Sequence, residues 1–150
     1  LQTLQQEPFL SQSAPKSTGR DLFNEPWMSE RLQRHSTVSA QDVQSTLCEF
    51  TAWAVQAHLQ REMPGVELVL ACGGGARNDE LMRRLQSRMA PARVETTEAR
   101  GVGVMDVEAA AFAWLAWRFL RGLPGNLPAV TGARGPRVLG ALYPGLPPAR

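Results

Sequence analysis

The chain has 150 residues, 43% of them hydrophobic and 20% charged, with a formal net charge of +2. Such a length and composition describe one ordinary globular domain and exclude a wholly disordered or low-complexity chain. The basic residues are almost all arginine, with Lys16 the only lysine, and acids are interspersed among them, so no nucleic-acid-binding stripe is expected.

Leu1 to Leu10 reads as the tail of a helix, and Ser11 to Gly19 as a loop broken by Pro15 and Gly19. Polar Leu1 to Ser13 has no basic segment leading into an apolar one, so it is not a signal peptide. The chain begins with Leu rather than Met, which reads as a fragment or a processed product. Asp21 to Trp27 is a short apolar–polar mixture that Pro26 interrupts.

Ser39 is an expected N-cap, with Asp42 three residues on completing a capping-box-like start. Val43, Leu47, Phe50, Ala54 and Ala57 then recur at helical spacing, predicting a helix to about Met63 that Pro64-Gly65 ends. Val66 to Cys72 is apolar, rich in branched residues and too short for a typical helix. It reads as a buried strand of a mostly parallel sheet. Gly73-Gly74-Gly75 breaks it, and Asn78 caps a helix whose apolar face holds Leu81, Met82 and Leu85, with Met89 beyond. Arg93 to Thr97 is the next strand, so the unit is a βαβ crossover and the fold class α/β.

After a loop at Ala99 to Val104, Asp106 opens a helix reaching about Arg121, apolar nearly all round and therefore expected to be buried in a core or between subdomains. The Pro- and Gly-rich tail from Gly122 offers one short strand at Arg137 to Leu142. The longest apolar run, Ala109 to Trp117, has nine residues, against the roughly 20 a membrane span needs. No membrane contact and a cytoplasmic location are expected. Cys48 and Cys72 read as small buried hydrophobes, and with His35 and His58, both taken as surface or interface residues, they make no metal-binding spacing.

Three places carry candidate chemistry. Gly73, Gly74, Gly75 and Asn78 lie where a strand hands over to a helix, the position at which α/β sheets bind ligands. Glycines there let a flat ring approach the backbone, and the helix beyond presents free N–H groups. The run is neither a Walker loop nor GxGxxG, and a tight turn with an Asn cap explains the same residues. Glu108, beside an apolar helix face, could bind hydroxyls, although acids also favour helix N-termini for electrostatic reasons. Lys16-Ser17-Thr18-Gly19-Arg20 could grip an anion or be a solvated loop.

Lys16 to Asn24, Cys72 to Asn78, and Asp106 to Ala116 followed by Gly122 to Ala133 together resemble, in order and spacing, signatures of the anhydro-N-acetylmuramic acid kinases. The resemblance implies the C-terminal part of a ribonuclease-H-like, actin-like sugar kinase lobe: a mixed sheet with flanking helices. Residues 1–38 would form a helical and loop segment. Residues 39–150 would form the incomplete lobe on the adenosine side of the cleft. It implies ATP and Mg2+ as cofactors and a small sugar as substrate. The expected reaction opens the 1,6-anhydro ring with water and phosphorylates O6, giving ADP and a 6-phosphosugar, in cell-wall recycling. A homodimer is expected for the full enzyme.

By the same resemblance Gly73, Gly74, Gly75 and Asn78 contact the nucleotide and Glu108 the sugar. The family's phosphate loops and water-activating aspartate are missing from this sequence, so no catalytic residue and no metal ligand are assigned here, and the chain alone is expected to be inactive. Two other readings are an inactive remnant serving as a folding or interaction module, and a different actin-like sugar kinase.

Overall fold

The structure, a computed structural model, describes residues 1–145. It divides into two compact units, Leu1–Val107 and the residues from Glu108 onward.

The first unit is built on a long helix. Its elements are α1 (Gln2–Gln5), α2 (Pro8–Ser11), α3 (Glu25–Leu32), α4 (Ala40–Glu62), β1 (Leu68–Ala71), α5 (Asp79–Met89) and β2 (Arg93–Thr96). The Ser39 Oγ accepts a hydrogen bond from Asp42 N at 3.1 Å and donates to Asp42 Oδ2 at 2.8 Å, so the capping pair starts α4 as its sequence indicates. Gly65, at φ +85°, turns the chain after α4 into a conformation that favours glycine.

Leu4, Leu10 and Phe50 form a buried core that Phe9, Phe23, Trp27, Leu47 and Trp53 surround. Phe23 meets Trp27 edge-on at 5.0 Å, and Phe50 stacks on Trp53 at 6.0 Å and on Trp27 at 6.1 Å. Each such aromatic pair adds about 0.5–1.5 kcal/mol beyond its buried area. Beneath the rings the buried Glu7 carboxylate accepts from Trp27 Nε1 at 2.8 Å and Arg31 Nη2 at 2.6 Å. A buried carboxylate is tolerable only with such partners.

On the other side of α4, α5 packs with Leu85 and Met89 inward. The two strands pair in parallel, Leu68 opposite Arg93 and Ala71 opposite Thr96, so the βαβ crossover is present. Gln86 pins α5 to the second strand: its Oε1 accepts from Val94 N at 2.8 Å and its Nε2 donates to Ala92 O at 3.0 Å.

Several expectations are corrected. Leu1 to Leu10 is two single-turn helices, because Pro8 starts a second one. Pro26 does not interrupt a segment but sits in the first turn of α3, where its missing N–H costs nothing, and Asn24 caps that helix through Trp27 N at 2.9 Å. The strand expected over Val66 to Cys72 is shorter and half-buried rather than buried, with Leu70 exposed, since its one partner has four residues. The sheet of the described residues is two parallel strands, not mixed. Cys48 is half-buried and Cys72 exposed, so neither is a buried hydrophobe. His35 is exposed, and His58, half-buried, sets Nδ1 2.7 Å from Ala54 O on its own helix.

The second unit holds α6 (Val107–Leu120, beginning one residue before the boundary) and α7 (Pro128–Thr131). Arg118 Nε donates to Pro124 O at 2.7 Å, and Asn126 staples the tail, donating to Gly135 O at 3.1 Å and accepting from Arg137 N at 2.6 Å. The strand expected at Arg137 to Leu142 does not form: Pro136 precedes it, Gly140 turns the backbone at φ +117°, and its main-chain link is a single bond from Gly125 N to Arg137 O. Nor is α6 a buried helix: none of its residues is buried, and Phe112, Trp114 and Leu120 are 63%, 51% and 75% exposed. No helix of the described residues is long and apolar enough to cross a membrane.

Candidate functional site

The glycine turn joins β1 to α5. Gly73 adopts φ +79°, ψ −176°, a region closed to residues with a side chain, and its N–H donates to Val104 O at 2.7 Å. Gly74–Arg77 then form one 3-10 turn, closed by a bond from Asn78 N to Gly75 O at 3.1 Å. Asn78 caps α5, its Oδ1 accepting from Leu81 N at 3.0 Å while its carbonyl accepts from Met82 N. Gly73, Gly74, Gly75 and Asn78 are therefore brought together as one local structure, as the sequence indicates.

The glycines are not equivalent. A methyl group built on Gly73 or Gly74 would meet no atom within 4 Å, whereas on Gly75 it would lie 3.5 Å from the Leu81 side chain. That distance is an ordinary van der Waals contact, so Leu81 packs close to Gly75 without demanding glycine there. Gly74 has an ordinary φ and open space before it, so nothing among the described residues requires glycine there. Open backbone with no Cβ lets a planar ring approach closely.

A pocket of ≈ 380 Å³ adjoins the turn, with Gln41, Ser45 and Cys48 of α4 on one wall and Asn78, Glu80 and Arg84 on the other. Charge is densely paired here. Glu80 accepts from Arg83 and Arg84 at 2.6–2.7 Å, and these bonds hold its carboxyl at about 2. Glu49 accepts from Arg84 Nη1 at 2.9 Å and from Arg88 Nε at 2.7 Å. Burial pushes the Glu49 carboxyl up, but the bonds from Arg88 and Arg84 outweigh it and hold it below the usual carboxylate range. The Glu80–Arg84 pair is legible as an i, i+4 spacing; the link to Glu49, 35 residues away, is not.

Glu108 lies in the first turn of α6 in the second unit, exposed, and makes no hydrogen bond or ion pair among the described residues.

The Lys16 segment is not an open anion grip. Lys16 Nζ donates to Phe9 O at 2.7 Å and Leu10 O at 3.1 Å and rests 4.6 Å from the Phe9 ring centre. Arg61 joins it by donating to Leu10 O and Gln12 O, both at 3.2 Å. Burial, and then the neighbouring Arg61 charge, hold the Lys16 ammonium below the usual lysine range. The two cations cap the carbonyl end of α2 and fasten it to α4.

The described residues contain no group of three or more His, Cys, Asp or Glu side chains placed to hold a metal ion.

A model of the family described as "Anhydro-N-acetylmuramic acid kinase" matches residues 1–145. A protein of that name from Pseudomonas paraeruginosa is 51% identical over 144 residues, covering 96% of this chain and 40% of the relative. Proteins of the same name from Burkholderia orbicola and Burkholderia cenocepacia are each 51% identical over 148 residues, covering 96% of this chain and 39% of the relative. The chain thus spans about two fifths of the length of the curated relatives it matches.

Proposed function

Because the chain belongs to the anhydro-N-acetylmuramic acid kinase family, we propose that it supplies the nucleotide-contacting, C-terminal part of such an enzyme. The parent activity is ATP-dependent opening of the 1,6-anhydro ring by water with phosphorylation at O6, yielding the 6-phosphosugar and ADP, in recycling of cell-wall fragments in the cytoplasm. The observation that carries the nucleotide assignment is the open backbone at Gly73 and Gly74, at the C-terminal end of a parallel strand.

In this reading ATP supplies the phosphoryl group, and the chain's residues position its nucleoside end. Gly73 and Gly74 leave a ring free to lie on the backbone, and Asn78 keeps the turn in shape by capping α5. Glu108, exposed and unpaired among the described residues, offers a carboxylate to sugar hydroxyls. Phosphoryl transfer depends on groups around the γ-phosphate and on an oriented nucleophile. The resemblance assigns those to segments outside this sequence. Residues 1–38 form a bracing segment in this account, and residues 39–150 form the nucleotide side of an actin-like lobe; the full enzyme would be a homodimer.

The exposed face of α6 favours a second role, that of an interaction module. Contiguous exposed apolar surface commonly marks a contact with further polypeptide.

A turnover assay tests the proposal. The purified chain with ATP, magnesium and anhydro-N-acetylmuramic acid should form no 6-phosphosugar. Joined to the portion of the Pseudomonas relative that it does not match, it should form it. In that fusion Gly74→Val should raise the KM for ATP; an unchanged KM contradicts the assignment of the turn.

A further inference from the structure

Arg84 links more elements around the glycine turn than any local cap requires. Its Nε donates to Glu80 Oε1 at 2.6 Å in the first turn of α5, its Nη1 to Glu49 Oε2 at 2.9 Å and Ser45 O at 3.2 Å, and its Nη2 to Ser45 Oγ at 2.9 Å, both Glu49 and Ser45 belonging to α4. Its side chain is 17% exposed, against 66% for Arg83, which shares the Glu80 carboxylate but donates to nothing on α4. One residue before Glu80 α5 begins, and Asn78 and Leu81 connect that first turn to Gly75 by hydrogen bond and by packing.

We propose that Arg84 is a positioning residue, which locks the first turn of α5, and through it the glycine turn, onto α4. The inference rests on the nucleotide reading of that turn and adds the group that holds its geometry. A planar guanidinium with five donors can serve Glu80, Glu49 and Ser45 at once; an ammonium at the same place is a single point charge. Strand pairing and the Gly73–Val104 bond fix the strand side of the turn. On the helix side Asn78 N donates to Gly75 O within the turn and Arg88 bonds Glu49 and Gln56 of α4; Arg84 adds the α4 bonds closest to the turn, to Ser45 and Glu49.

Amide hydrogen exchange in the chain itself tests this, with Arg84→Met, Arg84→Lys and Arg83→Met. Arg84→Met should speed exchange at the Asn78, Leu81 and Met82 amides about tenfold relative to those of Arg93 and Val94, as expected for loss of charge-assisted bonds. Arg83→Met should not. If Arg84→Met fails to fold, Arg84→Lys carries the same comparison with a smaller effect. An equal local effect from Arg83→Met, or acceleration spread evenly to Arg93 and Val94, overturns the proposal. A second arm measures the Kd for magnesium-ATP by the amide resonances of the turn, with Gly74→Val as the site control. Weakening by both Gly74→Val and Arg84→Met, but not by Arg83→Met, supports the proposal. Weakening by Gly74→Val alone overturns it. Weakening by neither contradicts the nucleotide reading and leaves the clamp to be decided by the exchange arm.

Discussion

The N–H of Gly73 donates to the carbonyl oxygen of Val104 at 2.7 Å, tying the glycine turn to the loop that leads into α6. At the same residue the backbone takes φ +79°, a conformation that a side chain disfavours. Gly73→Ala should therefore destabilise the chain by about 1–3 kcal/mol, the usual cost of forcing a side chain into that region. Gly74→Ala, at an ordinary φ and facing open space, should leave stability nearly unchanged. Denaturant unfolding of the two variants checks this, and equal losses would contradict the geometry described.

Acid should weaken the α4–α5 contact. The Glu80 and Glu49 carboxyls both titrate below the usual carboxylate value in the fold, Glu80 at about 2. The unfolded chain then binds more protons than the folded one as pH falls, so stability present above pH 4.5 is lost progressively toward about 2. Melting temperature against pH should show this limb, and Glu80→Gln should flatten it. Glu80 is exposed, so added salt should shrink its share.

Glu7→Gln keeps the shape of the buried carboxylate and removes its charge, leaving Arg31 and Trp27 Nε1 with a weaker acceptor. A charge-assisted bond contributes about 1.5–3 kcal/mol, and a loss of that size is expected by chemical denaturation. A loss no larger than that of a surface variant such as Glu30→Gln would show that the Trp27–Glu7–Arg31 link carries little of the core's stability.

Glu108→Gln separates the two readings of that residue. If the carboxylate only complements the helix end, the change costs about 0.3–1 kcal/mol and nothing else. If it binds sugar hydroxyls, kcat/KM for the sugar should fall in the fused kinase while the melting temperature holds.

Local signals were the legible ones. Ser39 with Asp42, and Asn78 with Leu81, are contacts three residues apart, and both caps form where the spacing places them. The strand–turn–helix–strand order followed from an apolar run ended by glycines. What failed needed distant partners. The Glu7–Trp27 and Glu49–Arg88 contacts span 20 and 39 residues, and no periodicity encodes them. Pro26 misled because the same residue stops a helix inside and starts one at its first turn. The burial of α6 was inferred from apolarity alone; among the described residues its Leu115 and Phe119 are half-buried and none of its residues is fully buried. Of the candidate site, the glycine turn was readable as a structure, while Lys16 proved to be a brace because Phe9 and Leu10 carbonyls claim its amino group.

The most direct test of the central claim is a titration of the chain with magnesium-ATP, followed by its backbone amide resonances. A weak, saturable response led by Gly73, Gly74, Gly75 and Asn78 is expected, abolished in Gly74→Val and reproduced by adenosine alone. A response confined to the Lys16 segment or to α6, or none at those four residues at millimolar nucleotide, would contradict it.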